Sequence, residues 1–270
     1  MLDRWENRRC YIHNERDYFL SLNNHKHIVG IVGYCHENKE CLLVYEYMKN
    51  RALYDRLHPK EATPSSPSPL ASSWKMRVKI LLDASRGVGY LHSCPMVDSH
   101  IKSSNILLDA SWTARVSGYD LVSSPLLPWD EAHPTVEDDV YAFGVVMLEV
   151  LTGKPAVFEE AAESSSSPVS VVDYYDVPMI VSGELGKVLD PRAPEPAAHE
   201  AEALALVAYA ALHCVLLERN HRPTMAGIVA SLETALALCE GTYGGGGFGH
   251  SPSSSASLSV TSTDREDAPV

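Results

Sequence analysis

Two stretches of the chain, Val140 to Leu151 and Ala203 to Leu217, are almost wholly apolar, and nothing else in the sequence limits the fold so strongly. A helix with apolar residues on every side has to be surrounded, by protein or by lipid. Lipid fits poorly, because a span needs about 20 apolar residues and the longest apolar run, Ala142 to Leu151, is short and holds Glu149. Both stretches are therefore expected as helices buried on most sides. Two amphipathic helices should pack on them. Trp74 opens one, with Val78, Leu81, Ala84, Val88 and Leu91 on a single face. Arg222-Pro223-Thr224-Met225 opens the other, with proline in the first turn and Met225, Ile228, Val229, Leu232 and Leu236 as the stripe. The 270 residues, 45% of them hydrophobic, are enough to bury such a core as one large domain or two lobes.

The remainder of the chain adds a small β component. Residues 15 to 22 read as a helix, and Ile28 to Tyr34 with Cys41 to Tyr47 read as two strands joined by a turn at 36–39. Pro59 to Ser73 is a Pro/Ser-rich loop. From Gly241 the composition turns to glycine and then serine with few apolar residues, which predicts a disordered tail. The run Gly244 to Gly247 with Phe248-Gly249 follows a helix and precedes serine, so it reads as linker, whereas a phosphate loop must lie between strands or open a helix. Ser164 to Ser167 and Ser251 to Ser255 read as spacer or as acceptors of phosphate from a partner enzyme.

Charge and cysteine usage exclude several function classes. Lys plus Arg number 22 against 35 Asp plus Glu, a net charge of -13 that repels nucleic acid and anionic membrane. Six cysteines are scattered without a C-x-x-C pair, which argues against zinc or a disulfide framework and for a reducing, cytosolic setting. The start, MLDRWENRRC, has no apolar signal region. His25, His27 and His36 have no acid or thiol cluster at ligand spacing, so they read as solvated turn histidines. Asp98-Ser99-His100 does not read as a hydrolase triad, because neighbours in an extended segment point to opposite faces.

Residues 98 to 120, DSHIKSSNILLDASWTARVSGYD, carry the chemistry. Ile101 to Asp109 fits the catalytic-loop pattern H-R-D-[LI]-K-x-x-N, with Asp98-Ser99-His100 in place of H-R-D and Gly118-Tyr119-Asp120 in place of D-F-G. Together with His25 to Val29, Leu42 to Met48, Asp139 to Gly144 and Arg222 to Met225, this stretch resembles the plant receptor-like Ser/Thr protein kinases over residues 15 to 240. Asp190-Pro191-Arg192 and the helix Ser231 to Leu236 are most similar to the crinkly-type group.

The resemblance implies an α+β, two-lobe, protein kinase-like fold: a truncated N-lobe sheet over 1–48, a mainly helical C-lobe over 49–240 and the tail over 241–270. It places Tyr45 as gatekeeper, Glu46 and Met48 in the nucleotide hinge, and Lys102, Asn105 and Leu107 in the cofactor cleft. Lys102 and Asn105 are read either as phosphate-facing remnants or as residues kept for loop hydrogen bonds. Asn105 is a vestigial metal ligand, because Gly118 replaces the metal-binding aspartate. His100 stands at the catalytic aspartate position, where an imidazolium would put positive charge beside the nucleophile. Tyr119, Asp139 and Arg222 are structural: Tyr119 fills an apolar slot, Asp139 braces the loop, and Arg222 either faces solvent or borrows Glu131. The glycine-rich loop and its following lysine are not in this sequence, Arg16 falls on the lysine's ion-pair position, and only 18 residues, Leu121 to Asp138, stand between Asp120 and Asp139.

These departures predict a pseudokinase that works as a signalling interaction module. Its partner is an active receptor-like kinase or another signalling protein, with no nucleic acid and no membrane segment. ATP and Mg²⁺ are implied by the family, with binding weak or lost. The alternatives are a Ser/Thr kinase completed in a longer form, membrane-associated if that form is a receptor, and a decayed fragment without a stable fold.

Overall fold

Four helices make the body of the computed structural model, which describes residues 2–4, 25–37, 40–59, 68–94, 101–118, 135–158, 169–172, 179–180 and 182–241. The expected helix at 15–22, Asp98 to His100, Tyr119, Asp120, Glu131, both serine runs and the tail from 242 lie outside those residues. Elements are numbered here in chain order: strands β1 Leu2–Arg4, β2 Ile31–Glu37, β3 Glu40–Tyr45, β4 Ile106–Leu108, β5 Ala114–Val116, β6 Val157–Phe158 and β7 Val169–Ser170. The helices are α1 Leu53–Leu57, α2 Pro69–Ser72, α3 Trp74–Ser93, α4 Val136–Thr152, α5 Ala198–Cys214 and α6 Met225–Cys239.

Local chemistry sets the helix ends. Ser73 caps α3 by accepting from Met76 N at 3.2 Å, and Thr224 caps α6 by accepting from Gly227 N. Pro223 therefore precedes the cap of α6 and is not in its first turn. At the start of α4 the Asp138 carboxylate accepts from Thr135 N at 3.0 Å, and α4 stops at Gly153, whose φ of 68° suits glycine.

The apolar stripes meet where the sequence pattern places them. α6 packs against α3 and α5, and α5 against α4. Their shared core holds Trp74, Leu81 and Val88 from α3, Phe143 and Met147 from α4, Leu204 and Ala211 from α5, and Leu232 from α6. At Gly144 the backbones come so close that an added Cβ would meet Cys214 Cβ at 2.6 Å. The second apolar run does not stay buried to its end. α5 stops at Cys214, the chain turns into Arg219–His221, and Leu217 is 93% exposed. Their backbone still has a role, since the carbonyls of Leu216 and Leu217 both accept from Arg222.

The small sheet has three antiparallel strands in the order β1-β3-β2, one more than the sequence pattern predicts. Its strand limits also differ. Ile28 and Val29 do not enter β2: Val29 N donates to Val116 O at 2.9 Å, and Val116 N donates to His27 O at 2.8 Å. This segment is thereby fastened to β5, and Gly87 of α3 lies so close that a Cβ there would stand 2.5 Å from His27 O.

A buried ionic network ties the helical body to the loop before α5. Arg77 on α3 donates from Nε to Leu70 O, from Nη1 to Val150 O and from Nη2 to Asp190. Arg192 grips the same carboxylate through Nε, Nη2 and its backbone N. Elsewhere the buried Glu149 accepts from His58 at 2.8 Å.

Candidate functional site

β3 ends at Tyr45, and the connection Glu46–Met48 passes toward the β4–β5 hairpin. Tyr45 is half-buried, paired in register with Ile31 of β2, and the Met48 side chain is buried. Glu46 is held on both sides. Its backbone N donates to Gly30 O at 2.9 Å, and its Oε1 accepts from Gly30 N at 2.7 Å and from Arg115 Nη1 at 2.9 Å. Its carboxylate is thus already engaged by protein groups.

The hairpin beneath is built by Asp109. One carboxylate oxygen accepts from Ser111 N, Ser111 Oγ and Thr113 N, which closes the turn, and the other meets Arg115 Nη2 at 3.4 Å. Burial by itself would raise this carboxyl, but the Ser111 and Thr113 donors and Arg115 outweigh it and hold the group below the usual carboxylate range. Asn50 N donates to Leu108 O and Leu108 N to Arg51 O, so the strand carrying Leu107 is stitched to the chain just after the hinge. Leu107 itself is half-buried, opposite Arg115.

Lys102 precedes, and Asn105 ends, a single turn, Ser103–Asn105, in which Asn105 N donates to Lys102 O at 2.9 Å. Lys102 is exposed and makes no ion pair among the described residues. The Asn105 carbonyl accepts from both Ser117 N and Ser117 Oγ at 2.8 Å, which brings the end of β5 beside the turn. Gly118 follows with φ +76°, and a Cβ there would meet Asn105 Nδ2 at 2.6 Å and Asn105 Cγ at 3.0 Å.

Asp139 and Arg222 lie at the start of α4. The buried Asp139 carboxylate accepts from His92 Nε2 of α3 at 2.9 Å. Arg222 does not face solvent: its side chain is 7% exposed. It donates to Glu137 O at 2.8 Å, stands 3.7 Å from Asp138, and lies over the Tyr141 ring. Carbonyls at the start of α4 and in the turn after α5 supply partners, which the sequence pattern could not show. His100 and Tyr119 fall outside the described residues.

The site therefore brings Glu46, Met48, Leu107, Asn105 and Gly118 around one hairpin. The organising residue missed in the sequence is Arg115, whose guanidinium spans Glu46 and Asp109. Its only signal was a charge within the short apolar strand Ala114–Val116. The described residues of the site do not fit a divalent cation. Gly118 offers no ligand atom, and no group of three or more His, Cys, Asp or Glu suited to a metal occurs among the described residues.

A small antiparallel sheet, a hinge and a helical body behind a polar loop and hairpin together define a protein kinase-like fold, and the profile of the family described as protein tyrosine and serine/threonine kinase matches residues 4–125. The chain belongs to the plant receptor-like protein kinase family and agrees with its crinkly-type group. It is 47% identical over 257 residues to the Arabidopsis thaliana serine/threonine-protein kinase-like protein CCR3, covering 84% of this chain and 31% of that protein. It is 39% identical to CCR4 of the same plant, covering 82% and 31%, and 32% identical to the receptor-like protein kinase FERONIA, covering 82% and 26%. The chain thus spans about a quarter to a third of the length of these curated relatives. No helix among the described residues is long and apolar enough to cross a membrane.

Proposed function

We propose that this kinase-like domain is a pseudokinase: it transfers no phosphoryl group and serves as an interaction module for another protein, an active receptor-like kinase or signalling protein, on the cytoplasmic side. Gly118 carries the reading. In phosphoryl transfer an acid at this place holds Mg²⁺ against the β- and γ-phosphates, and here a glycine stands with Asn105 packed against it. A nucleotide entering the cleft would find, among the described residues, the exposed cation Lys102 and a Glu46 carboxylate already bound to Gly30 and Arg115.

The test is phosphoryl transfer by purified protein with ATP, Mg²⁺ and generic protein substrates. The expected outcome is no transfer above a blank. Transfer that is lost in Lys102→Ala would overturn the reading.

A second reading, a Ser/Thr kinase completed in a longer form, draws on the share of the relatives' length that this chain covers and on the presence of Lys102 and Asn105. It predicts a rise in melting temperature with millimolar Mg-ATP. A fragment without a stable fold is disfavoured by the continuous core that runs through α3, α4, α5 and α6.

A further inference from the structure

Gly118 departs from the family pattern in more than the loss of a carboxylate. Its φ of +76° lies in the left-handed region, which side chains other than those of Gly, Asn and Asp visit at a cost. The space a Cβ would need is also taken. Asn105 Nδ2 would lie 2.6 Å from it, Cγ 3.0 Å and Oδ1 3.4 Å, and the first distance is one that real Cβ atoms do not tolerate. Asn105 has little freedom to withdraw as a unit, because its carbonyl is fixed by both donors of Ser117 and its backbone N by Lys102 O. Its carboxamide could leave only by rotation of a short side chain.

We infer that Asn105 and Gly118 form a locked pair, in which the carboxamide fills the volume of the missing side chain, so that restoring an acid at 118 does not restore a divalent-cation site. This deepens the pseudokinase reading and rests on it. Asn105 and residue 118 are the two positions at which the family pattern supplies metal ligands. In this chain one lacks a ligand atom and the other is turned into its place. Reversal therefore requires more than one change, since an aspartate at 118 must displace the carboxamide it would need as its neighbour.

The test is a double-mutant cycle on the full chain read by thermal unfolding, with and without millimolar Mg²⁺ or Mn²⁺. Gly118→Asp and Gly118→Ala are each expected to lower Tm by about 2–8 °C, given about 1–2 kcal/mol for the backbone or the contact and about 2–4 °C per kcal/mol at this size. In an Asn105→Ala background the contact part of that cost should vanish and only the left-handed backbone part remain, so each substitution should cost measurably less. Neither cation should raise the Tm of Gly118→Asp by more than it raises that of the original chain. Additive Tm changes, or a cation-dependent rise confined to Gly118→Asp, would overturn the lock. Should Gly118→Asp not fold, the milder Gly118→Ala and its pairing with Asn105→Ala decide the same question. Additivity without phosphoryl transfer sinks the lock and leaves the pseudokinase reading, whereas coupling with genuine transfer does the reverse.

Discussion

Asp190→Ala should be among the most destabilising single substitutions in the helical body, for a reason the geometry makes quantitative. The Asp190 side chain is fully buried and that of Arg77 is 3% exposed, with Nη2 and Oδ2 2.7 Å apart. Leu70 O and Val150 O satisfy two further donors of Arg77, and the guanidinium lies 4.9 Å from the Trp74 ring, but none of these neutralises the charge. Arg192 is half-exposed and can turn to water once its partner is gone. Arg77 cannot, so the loss is that of breaking a buried pair and stranding one ion, about 3–5 kcal/mol. At about 2–4 °C per kcal/mol this lowers Tm by about 6–20 °C, measured by circular dichroism at neutral pH. Arg77→Met combined with Asp190→Ala should be more stable than Asp190→Ala alone, because it removes the stranded charge. The sign with pH is also fixed. Burial alone would raise the Asp190 carboxyl, but the Arg192 and Arg77 donors outweigh it and hold it below its ordinary value. A depressed folded-state pKa contributes stability above the unfolded value near 4, lost as pH falls through the folded value. The Tm gap between the original chain and Asp190→Asn should therefore stay constant near neutrality and narrow only below about pH 4. A single substitution within about 3 °C of the original chain, roughly 1 kcal/mol, or additive behaviour of the pair, would refute the reasoning.

Two glycines of α3 provide a matched comparison: a Cβ at Gly87 would meet backbone at His27 O, whereas one at Gly89 makes only ordinary contact with Met225. Gly89→Ala should stabilise by up to about 1 kcal/mol through helix propensity, and Gly87→Ala should destabilise by about 1–3 kcal/mol through overpacking, both read from urea midpoints; equal effects would refute this. Burial pushes the Cys214 thiol up to about 12 and the Cys239 thiol up to about 11, so at pH 8 both should resist iodoacetamide in the folded protein while the exposed Cys35 is alkylated, as mapped by mass spectrometry. Modification of Cys214 at the rate of Cys35 would show that the α4–α5 packing is looser than described.

The helical architecture was legible because its signals are local and periodic. Val78, Leu81, Ala84, Val88 and Leu91 lie on one face of any helix they form, and a run such as Val140 to Leu151 cannot be stable except inside a core. Strand limits were less legible. Ile28 continues the apolar pattern of β2, yet it leaves the small sheet to bridge Val116, a choice made by hydrogen-bond partners remote in sequence. The same limit hid the third strand, since Leu2–Arg4 is too short to carry alternation and becomes a strand by pairing with β3.

The sequence by itself determined the family and the loss of an acid at position 118, because both are statements about which residue types occur in which order. Only the tertiary structure decided what fills that loss. Burial, ion pairing and close approach depend on atoms brought together from distant positions: Arg115 between Glu46 and Asp109, Arg77 with Asp190, and Arg222 on the start of α4. At Gly118 the same physics holds, for an absent side chain leaves a volume, and the Asn105 carboxamide that occupies it is thirteen positions away in sequence but 2.6 Å from where a Cβ would stand.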